Sequence, residues 1–186
     1  MKLFLKNMVG DRCKLKVKAE LEKLGVNYAA IELGQVEILE RLSNEKRQLL
    51  DAGLKKSGLA LLEDKKLILI ERIRNMIIEL IHYSDKPPKI NFSEYLSEKL
   101  NYDYTYLANI FSEIQGITIE HYLIKHKIER IKELLIYDEL NVTEIADKMH
   151  YSSVAHLSNQ FKKYTGLTPS HYKHLKYKGR KTLDAL

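Results

Sequence analysis

The chain has 186 residues, with 31 Lys and Arg against 25 Asp and Glu, a net charge of +6 and one cysteine. This length suffices for two small domains, and a lone cysteine excludes an internal disulfide framework. No apolar run approaches the roughly 18 residues of a membrane-spanning helix, and only a short apolar patch at residues 3–5 follows the N-terminus, so no secretion signal is predicted. We therefore expect a cytoplasmic protein with no membrane contact, and the basic balance favours an anionic partner.

The first 63 residues alternate strand and helix signals. Their order, βαββαβ, is that of the ferredoxin-like split βαβ fold. The predicted elements are a strand at 2–7, a helix at 13–24, a hairpin of 26–33 and 36–39 about Gly34-Gln35, a helix opened by Ser43 and stopped by Gly58, and a strand at 59–62.

One long helix is predicted next, over residues 65–83, with a wide apolar stripe that indicates core packing more than a dimer seam. Pro87 and Pro88 cannot continue a helix and indicate a semi-stiff spacer. The predicted organisation is thus a domain at 1–63, a linking helix at 64–84, a linker at 85–89, a helical domain at 90–178 and a basic tail at 179–186. The fold class is α+β.

The second half of the chain repeats itself. LANIFSEIQGITIEHY at 107–122 lies 50 residues before LSNQFKKYTGLTPSHY at 157–172, and 7 of the 16 positions are identical. Upstream, LSEKLNY at 96–102 matches IADKMHY at 145–151 with an offset of 49. Two copies of one supersecondary unit are therefore predicted.

Each copy has the pattern of a helix, a tight turn and a second helix. In the second copy we expect Thr143 to cap the first helix, a turn at 150–152, and a second helix anchored by Leu157 and Phe161 that ends at Gly166. Such a unit is a helix-turn-helix, whose second helix can lie in the DNA major groove; any paired α-hairpin would show the same pattern, so this alone leaves DNA binding open. A predicted helix of about 19 residues, Ile119–Tyr137, would span roughly 28 Å and could hold two reading helices about one DNA turn apart.

The sequence NVTEIADKMHYSSVAHLSNQFKKYTGLTPSHYK resembles the signature region of the AraC/XylS-type transcriptional regulators, and the resemblance covers residues 92–178. It implies a seven-helix domain that binds double-stranded promoter DNA and recruits or blocks RNA polymerase. Carried over by position, it implies two sets of groove-facing residues and two phosphate contacts, which are Asp103, Tyr104, Thr105, Ala108 and Asn109, then Ser153, Val154, Ala155, Ser158 and Asn159, and finally Lys162 and Lys163.

Two departures from the family pattern stand out. His150 occupies the place of a turn glycine, which predicts a strained or left-handed turn. The first reading helix has no Arg or Lys, so we expect it to bind more weakly than the second. No acid interrupts the basic residues between 161 and 183, and these would neutralise phosphates without reading sequence.

The first domain resembles the heavy-metal-associated ferredoxin-like domain, whose metal loop carries two cysteines. Here the loop is Met8-Val9-Gly10-Asp11-Arg12-Cys13, and Gly10 replaces the first cysteine. A Cu(I) or Zn(II) site needs at least two soft donors, so no metal or other cofactor is predicted. Cys13 is then an inert residue, a thiol sensor activated by its helix N-terminus and by Arg12 and Lys14, or half of a metal site bridging two chains.

Three function classes follow. The first is a sequence-specific transcription regulator with a small sensory or interaction domain, an unknown effector and an open question of homodimer formation. The second is a metal carrier or thiol module with an accessory helical half. The third is an enzyme, but no phosphate loop, nucleophile elbow or HExxH motif is present, and only an alkyl-transfer role for Cys13 is conceivable. We predict the first and no enzymatic activity.

Overall fold

The computed structural model describes residues 1–84, 90–137 and 140–174. The predicted linker at 85–89 and the basic tail at 179–186 lie outside these residues. The chain divides into two compact units, 1–76 and 77–186, and each is described by itself. None of the helices within these ranges could span a lipid bilayer.

The N-terminal unit is a four-stranded antiparallel sheet with helices. Its strands lie in the order β2-β3-β1-β4, and Leu3 of β1 pairs with Val36 while Leu5 pairs with Leu61. The elements are β1 (Lys2–Lys6), α1 (Asp11–Lys23), β2 (Tyr28–Glu32), β3 (Gln35–Ile38), α2 (Asn44–Lys55) and β4 (Ala60–Leu62). The βαββαβ order predicted from the sequence is the order observed, with shorter strands at 28–32 and 60–62.

Side chains alternate between the two faces of β1, so Leu3 and Leu5 both face the helices and are buried there. They share the core with Val17 and Leu21 of α1 and with Leu50 and Leu54 of α2. Ser43 caps α2, as predicted, by accepting a hydrogen bond from the Lys46 amide.

Helix α3 (Lys65–Ile78) contains the division between the two units. Its first part is fixed to the sheet unit because the buried Glu71 accepts a hydrogen bond from the Asn7 amide at 2.8 Å. Gly34 packs against this helix with φ +75, a conformation that favours glycine, and a Cβ there would lie 1.9 Å from Asn75 Nδ2, so a larger residue would have to displace the Asn75 side chain.

The predicted single helix over 65–83 is wrong in its last turn. Regular α-helix ends at Ile78, and Glu79–Tyr83 is a π-helical turn. The Ser84 amide closes it on the Glu79 carbonyl at 2.9 Å, an i to i+5 bond. Apolar periodicity cannot distinguish these two geometries over a single turn.

The C-terminal unit is helical in its described part. After the π-helical turn come α4 (Phe92–Leu100), α5 (Tyr104–Gln115), α6 (Ile119–Tyr137), α7 (Val142–Lys148), α8 (Val154–Thr165) and α9 (Pro169–His174). Both predicted helix-turn-helix units are present, as α4–α5 and α7–α8, and α6 has the predicted bounds. Among the described residues of this unit, the expected seven helices are reached only when the π-helical turn is counted with these six.

Candidate nucleic-acid interface

The two helix-turn-helix units share one turn geometry. His150 in the second unit and Asn101 in the first both adopt left-handed backbone, with φ 56 and φ 58. The left-handed conformation expected at His150 is therefore confirmed. It lets the Tyr151 amide reach back to the Ala146 carbonyl at 2.9 Å and close the end of α7.

The cap of α7 is Asn141, so the predicted Thr143 cap is wrong. Asn141 Oδ1 accepts hydrogen bonds from the amides of Thr143 and Glu144, and its own amide donates to Glu144 Oε2 at 2.6 Å. This reciprocal capping box satisfies three amides at once. Thr143 lies two positions after the cap, as the second residue of α7.

The same aromatic pair holds each second helix to the helix that follows. Phe111 of α5 meets Tyr122 edge to face at 5.5 Å, and Phe161 of α8 meets Tyr172 in the same way at 5.4 Å. The recurrence of these residues at 50-residue spacing is therefore a packing requirement. Leu107 and Leu157, both buried, complete it.

Helix α8 presents a polar outer face. Ser153 is its cap and accepts a hydrogen bond from the His156 amide at 3.1 Å, while Val154 and Ser158 are half-buried. Gln160 faces the turn and accepts a 2.5 Å hydrogen bond from the Tyr151 hydroxyl. The exposed residues are Ala155, His156, Asn159, Lys162 and Lys163.

Helix α5 presents fewer of its predicted residues. Asp103 is the helix cap, with its carboxylate accepting from the Thr105 and Tyr106 amides, and Ala108 is half-buried. Tyr104 donates its hydroxyl proton to Glu120 at the start of α6. The exposed residues are Thr105, Tyr106, Asn109 and Glu113.

The contact between Tyr104 and Glu120 shifts the pKa of both side chains. Burial and the hydrogen bond to Glu120 raise the pKa of the Tyr104 phenol. The bond from Tyr104 lowers the pKa of the Glu120 carboxyl. Tyr104 thus stays a neutral donor to a charged acceptor, a bond that fixes α5 on α6.

Two exposed residues, Tyr106 and His156, were not among the groove-facing residues predicted from the sequence. They are equivalent positions in the 50-residue repeat, and each stands in the first turn of its helix between residues that were identified. Tyr106 stacks on Tyr102 at 5.5 Å, and His156 Nδ1 lies 3.1 Å from the Ser152 hydroxyl. The repeat itself was the signal that could have found them.

Cys13 lies at the other end of the chain, in the first turn of α1. The thiol is half-buried beside the sheet core and lies 3.8 Å from the Asn7 carbonyl oxygen. In the described ranges, no group of three or more His, Cys, Asp or Glu side chains could hold a metal ion. The three interpretations of Cys13, as an inert residue, a thiol sensor or half of a metal site between two chains, stay predictions.

Comparison with known proteins bears on the helical unit. The family profile described as "Helix-turn-helix domain" matches residues 96–174. The solved C-terminal domain of AraT, a response regulator from Geobacillus stearothermophilus, is 30% identical with a TM-score of 0.50, over 59% of this chain and 87% of that one. The C-terminal unit belongs to the AraC/XylS-type helix-turn-helix family.

Curated relatives named as transcriptional regulators are similar to the same part of the chain. The uncharacterized HTH-type transcriptional regulator YtdP of Bacillus subtilis is 28% identical over 106 residues, 57% of this chain and 14% of its own length. The Msm operon regulatory protein of Streptococcus mutans is 28% identical over 99 residues, 49% of this chain and 36% of its own. The chain therefore spans a minor part of these relatives, and the likeness is one of the helix-turn-helix region.

Proposed function

We propose that this protein is a sequence-specific transcription regulator that reads double-stranded DNA with α5 and α8. The observation that carries the proposal is the equivalence of the two helices. Each follows the same left-handed turn, each is packed by the same aromatic pair, and each exposes polar side chains at matching positions, Asn109 and Asn159 among them.

The exposed side chains suit two kinds of DNA contact. Asn109 and Asn159 can read adenine in the major groove, while Thr105 and Ala155 can contact a thymine methyl or a base edge. Tyr106 and His156, found from the structure, join this proposed reading set. Asp103, Tyr104 and Ser153 are better explained as capping and packing residues.

Phosphate contacts would come from α8. Lys162 and Lys163 are exposed in its last turns, whereas α5 carries no cation and exposes Glu113 instead. We therefore propose that α8 supplies most of the salt-dependent affinity and that α5 adds base preference.

The N-terminal unit is proposed as a ferredoxin-like sensory or interaction domain. Support comes from its βαββαβ order and from the antiparallel sheet order β2-β3-β1-β4. A signal sensed there, with Cys13 as the candidate thiol, would change the DNA affinity of the helical unit. The helical unit would in turn act on RNA polymerase at a promoter. The alternative function as a metal carrier is not supported.

The test is selection of bound duplexes from a random DNA pool by the full chain at two salt concentrations. We expect a motif of two blocks about 10 bp apart, because α6 spans roughly 28 Å. Recovery of only salt-sensitive binding without a motif would contradict the proposal.

Asn159→Ala should relax preference at one position of the selected site and cost about 1–3 kcal/mol there. Lys162→Ala is its matched partner on the same helix. It should weaken all duplexes alike and reduce the salt slope by about 1. Fluorescence anisotropy with the selected duplex and with single-base variants measures both, and equal loss on all duplexes for Asn159→Ala would refute its reading role.

A further inference from the structure

The two helix-turn-helix units differ at one tyrosine of the turn. Tyr151 of the second unit is buried and donates its hydroxyl proton to Gln160 of α8 at 2.5 Å. Tyr102 stands at the same place in the first unit, 49 residues earlier, but it is 48% exposed and stacks on Tyr106 with ring centres 5.5 Å apart. The same residue type is therefore turned inward in one unit and outward in the other.

Two differences in sequence explain the outward tyrosine. The position equivalent to Gln160 is the buried Ile110 in the first unit, and an isoleucine side chain cannot accept a hydrogen bond from a phenol. The first turn is also one residue shorter, since Tyr102 comes directly before the cap of α5, whereas Ser152 stands between Tyr151 and the cap of α8. Tyr102 therefore faces solvent, and its hydroxyl has no hydrogen-bond partner in the part of the chain that the structure describes.

The tyrosine pair, Tyr102 and Tyr106, lies along the proposed reading side of α5. Tyr106 and Asn109 are three residues apart on this helix, so they project from the same side, and both are exposed. The stack places Tyr102 beside Tyr106 at the N-terminal end of α5, the end with which reading helices contact base edges. Stacking also restricts the rotamers of both rings, so less entropy is lost when they contact a partner.

Helix α5 offers this side of the unit no cation. Its sequence contains no Lys or Arg, and the exposed Glu113 stands about one turn beyond Asn109. Residues of α5 therefore cannot hold a phosphate by an ion pair. Neutral donors also position proteins on the DNA backbone, and the tyrosine hydroxyl is one of them.

We propose that the tyrosine pair is the neutral DNA anchor of the first unit. The Tyr102 hydroxyl donates a hydrogen bond to a phosphate oxygen of the block that α5 reads. The Tyr106 ring packs on the methyl group of a thymine next to the base read by Asn109. This inference rests on the proposed function and names the contacts that α5 makes where α8 uses its two lysines.

The phosphate contact is tested with Tyr102→Phe, which removes the hydroxyl and keeps the stacked ring. It should weaken binding of the full chain to the selected duplex about tenfold, as expected for a hydrogen bond to a charged group. The salt slope should stay unchanged, because a neutral donor releases no counterion. Tyr137→Phe, the same change at an exposed tyrosine at the end of α6, is the matched control and should bind like the parent.

Fluorescence anisotropy at several salt concentrations measures the affinity and the salt slope of both variants. Parent-like affinity of Tyr102→Phe, or a reduced salt slope, overturns the phosphate contact. An equal loss in Tyr137→Phe would overturn it as well, because the effect would not be specific to the turn.

The acceptor is located with duplexes in which one phosphate at a time is replaced by an uncharged methylphosphonate. At the contacted phosphate, this replacement should weaken the parent several-fold more than it weakens Tyr102→Phe, because the variant has already lost the hydrogen bond. Losses that simply add at every position of the block would show that the hydroxyl contacts no phosphate.

The thymine contact is tested by removing methyl groups from the DNA. Deoxyuridine in place of one thymine of the block should weaken the parent about fourfold, the effect of one buried methyl group. Tyr106→Ala should lose this sensitivity, whereas Tyr106→Phe should retain it because the ring remains. If deoxyuridine weakens the parent at no position, or weakens Tyr106→Ala equally, the contact is overturned.

The outcomes separate this inference from the proposed function. If the full chain selects no motif from the random pool, the proposed function fails and the anchor fails with it. If the chain selects a two-block motif that Tyr102→Phe and Tyr106→Ala bind like the parent, only the anchor fails.

Discussion

His150 and Asn101 stand at the same place in the two helix-turn-helix units, and both hold left-handed backbone. For an ordinary L-residue this conformation costs roughly 1–2 kcal/mol, while asparagine tolerates it better. The sequence indicated strain at His150 because a glycine is usual there. The second unit therefore carries a local cost that the first avoids.

His150→Gly should raise the free energy of unfolding of the helical unit by about 0.5–1 kcal/mol, since relief of the strain exceeds the entropy that glycine loses on folding. Asn101→Gly is the matched control and should change it by much less. Urea denaturation followed by circular dichroism measures both. Equal shifts in the two variants would show that His150 is not strained.

Asp51 is a second residue of interest, because its neighbours lower the pKa of its carboxyl group. Its carboxylate binds Lys55 Nζ at 2.6 Å and accepts the Leu61 amide at 3.0 Å, which ties α2 to β4. The hydrogen bond to Lys55, with that from Leu61, lowers the pKa of Asp51 despite some burial. The folded state thus binds this proton less readily than the unfolded state does.

A lowered pKa in the folded state fixes the sign of the pH dependence. The contribution of Asp51 is fully present above its unfolded pKa of about 3.9 and is lost as pH falls through the folded value. Asp51→Asn should therefore reduce the slope of unfolding free energy against pH below about pH 4. Glu22→Gln, an exposed carboxylate on α1, is the control, and an unchanged slope for Asp51→Asn would contradict the assignment.

Among the elements, α6 was predicted to the residue, because its apolar period is sustained and its neighbours end in clear turn signals. The end of α3 was not, since an i to i+5 turn leaves the pattern of apolar residues almost unchanged. Tyr104 was assigned to the groove face, yet its hydroxyl is used by Glu120 on another helix. Sequence position shows which side of a helix a residue occupies, but not which neighbour it meets there.

The cap of α7 illustrates a signal that was present and misread. Both Asn141 and Thr143 are good cap residues, but only Asn141 has a glutamate three positions on to complete a capping box. Asn141→Ala should lower the free energy of unfolding by about 1 kcal/mol, and Thr143→Ala should stay within about 0.5 kcal/mol of the parent. Thermal unfolding followed by circular dichroism compares the pair; a larger loss for Thr143→Ala would reverse the cap assignment.

For the whole molecule, the sequence predicted a sheet domain at 1–63 and a helical domain at 90–178, joined by a linking helix at 64–84 and a linker at 85–89. The observed division lies between Met76 and Ile77, inside α3. A boundary within a continuous helix leaves no change of composition for a sequence pattern to reveal. A fragment of the helical unit should therefore begin before Ile77 and keep the π-helical turn, whose His82 lies 3.4 Å from the buried His126 of α6.

The rigid connection by α6 predicts how spacing in the DNA site affects binding. Inserting about 5 bp between the two blocks should reduce affinity to that of one block, because the second block then faces the other side of the duplex. Inserting about 10 bp restores the face but exceeds the reach of a roughly 28 Å helix, so it should not rescue binding. Fluorescence anisotropy on the parent duplex and the two insertion duplexes measures the affinities. The control is a duplex with an equal insertion outside the site. Rescue of binding by the longer insertion would show that the connection between the two reading helices is flexible.

The two helix-turn-helix units follow one another in a single chain, and they differ in what they expose, since α8 carries Lys162 and Lys163 where α5 has Ser112 and Glu113. A two-fold dimer reads a palindrome, which looks the same from either end. A tandem of unlike readers should instead recognise a site that has a left and a right. The protein would then bind its site in one orientation relative to the promoter. Inverting the site in place would reverse the orientation of the bound protein without altering any contact between protein and DNA.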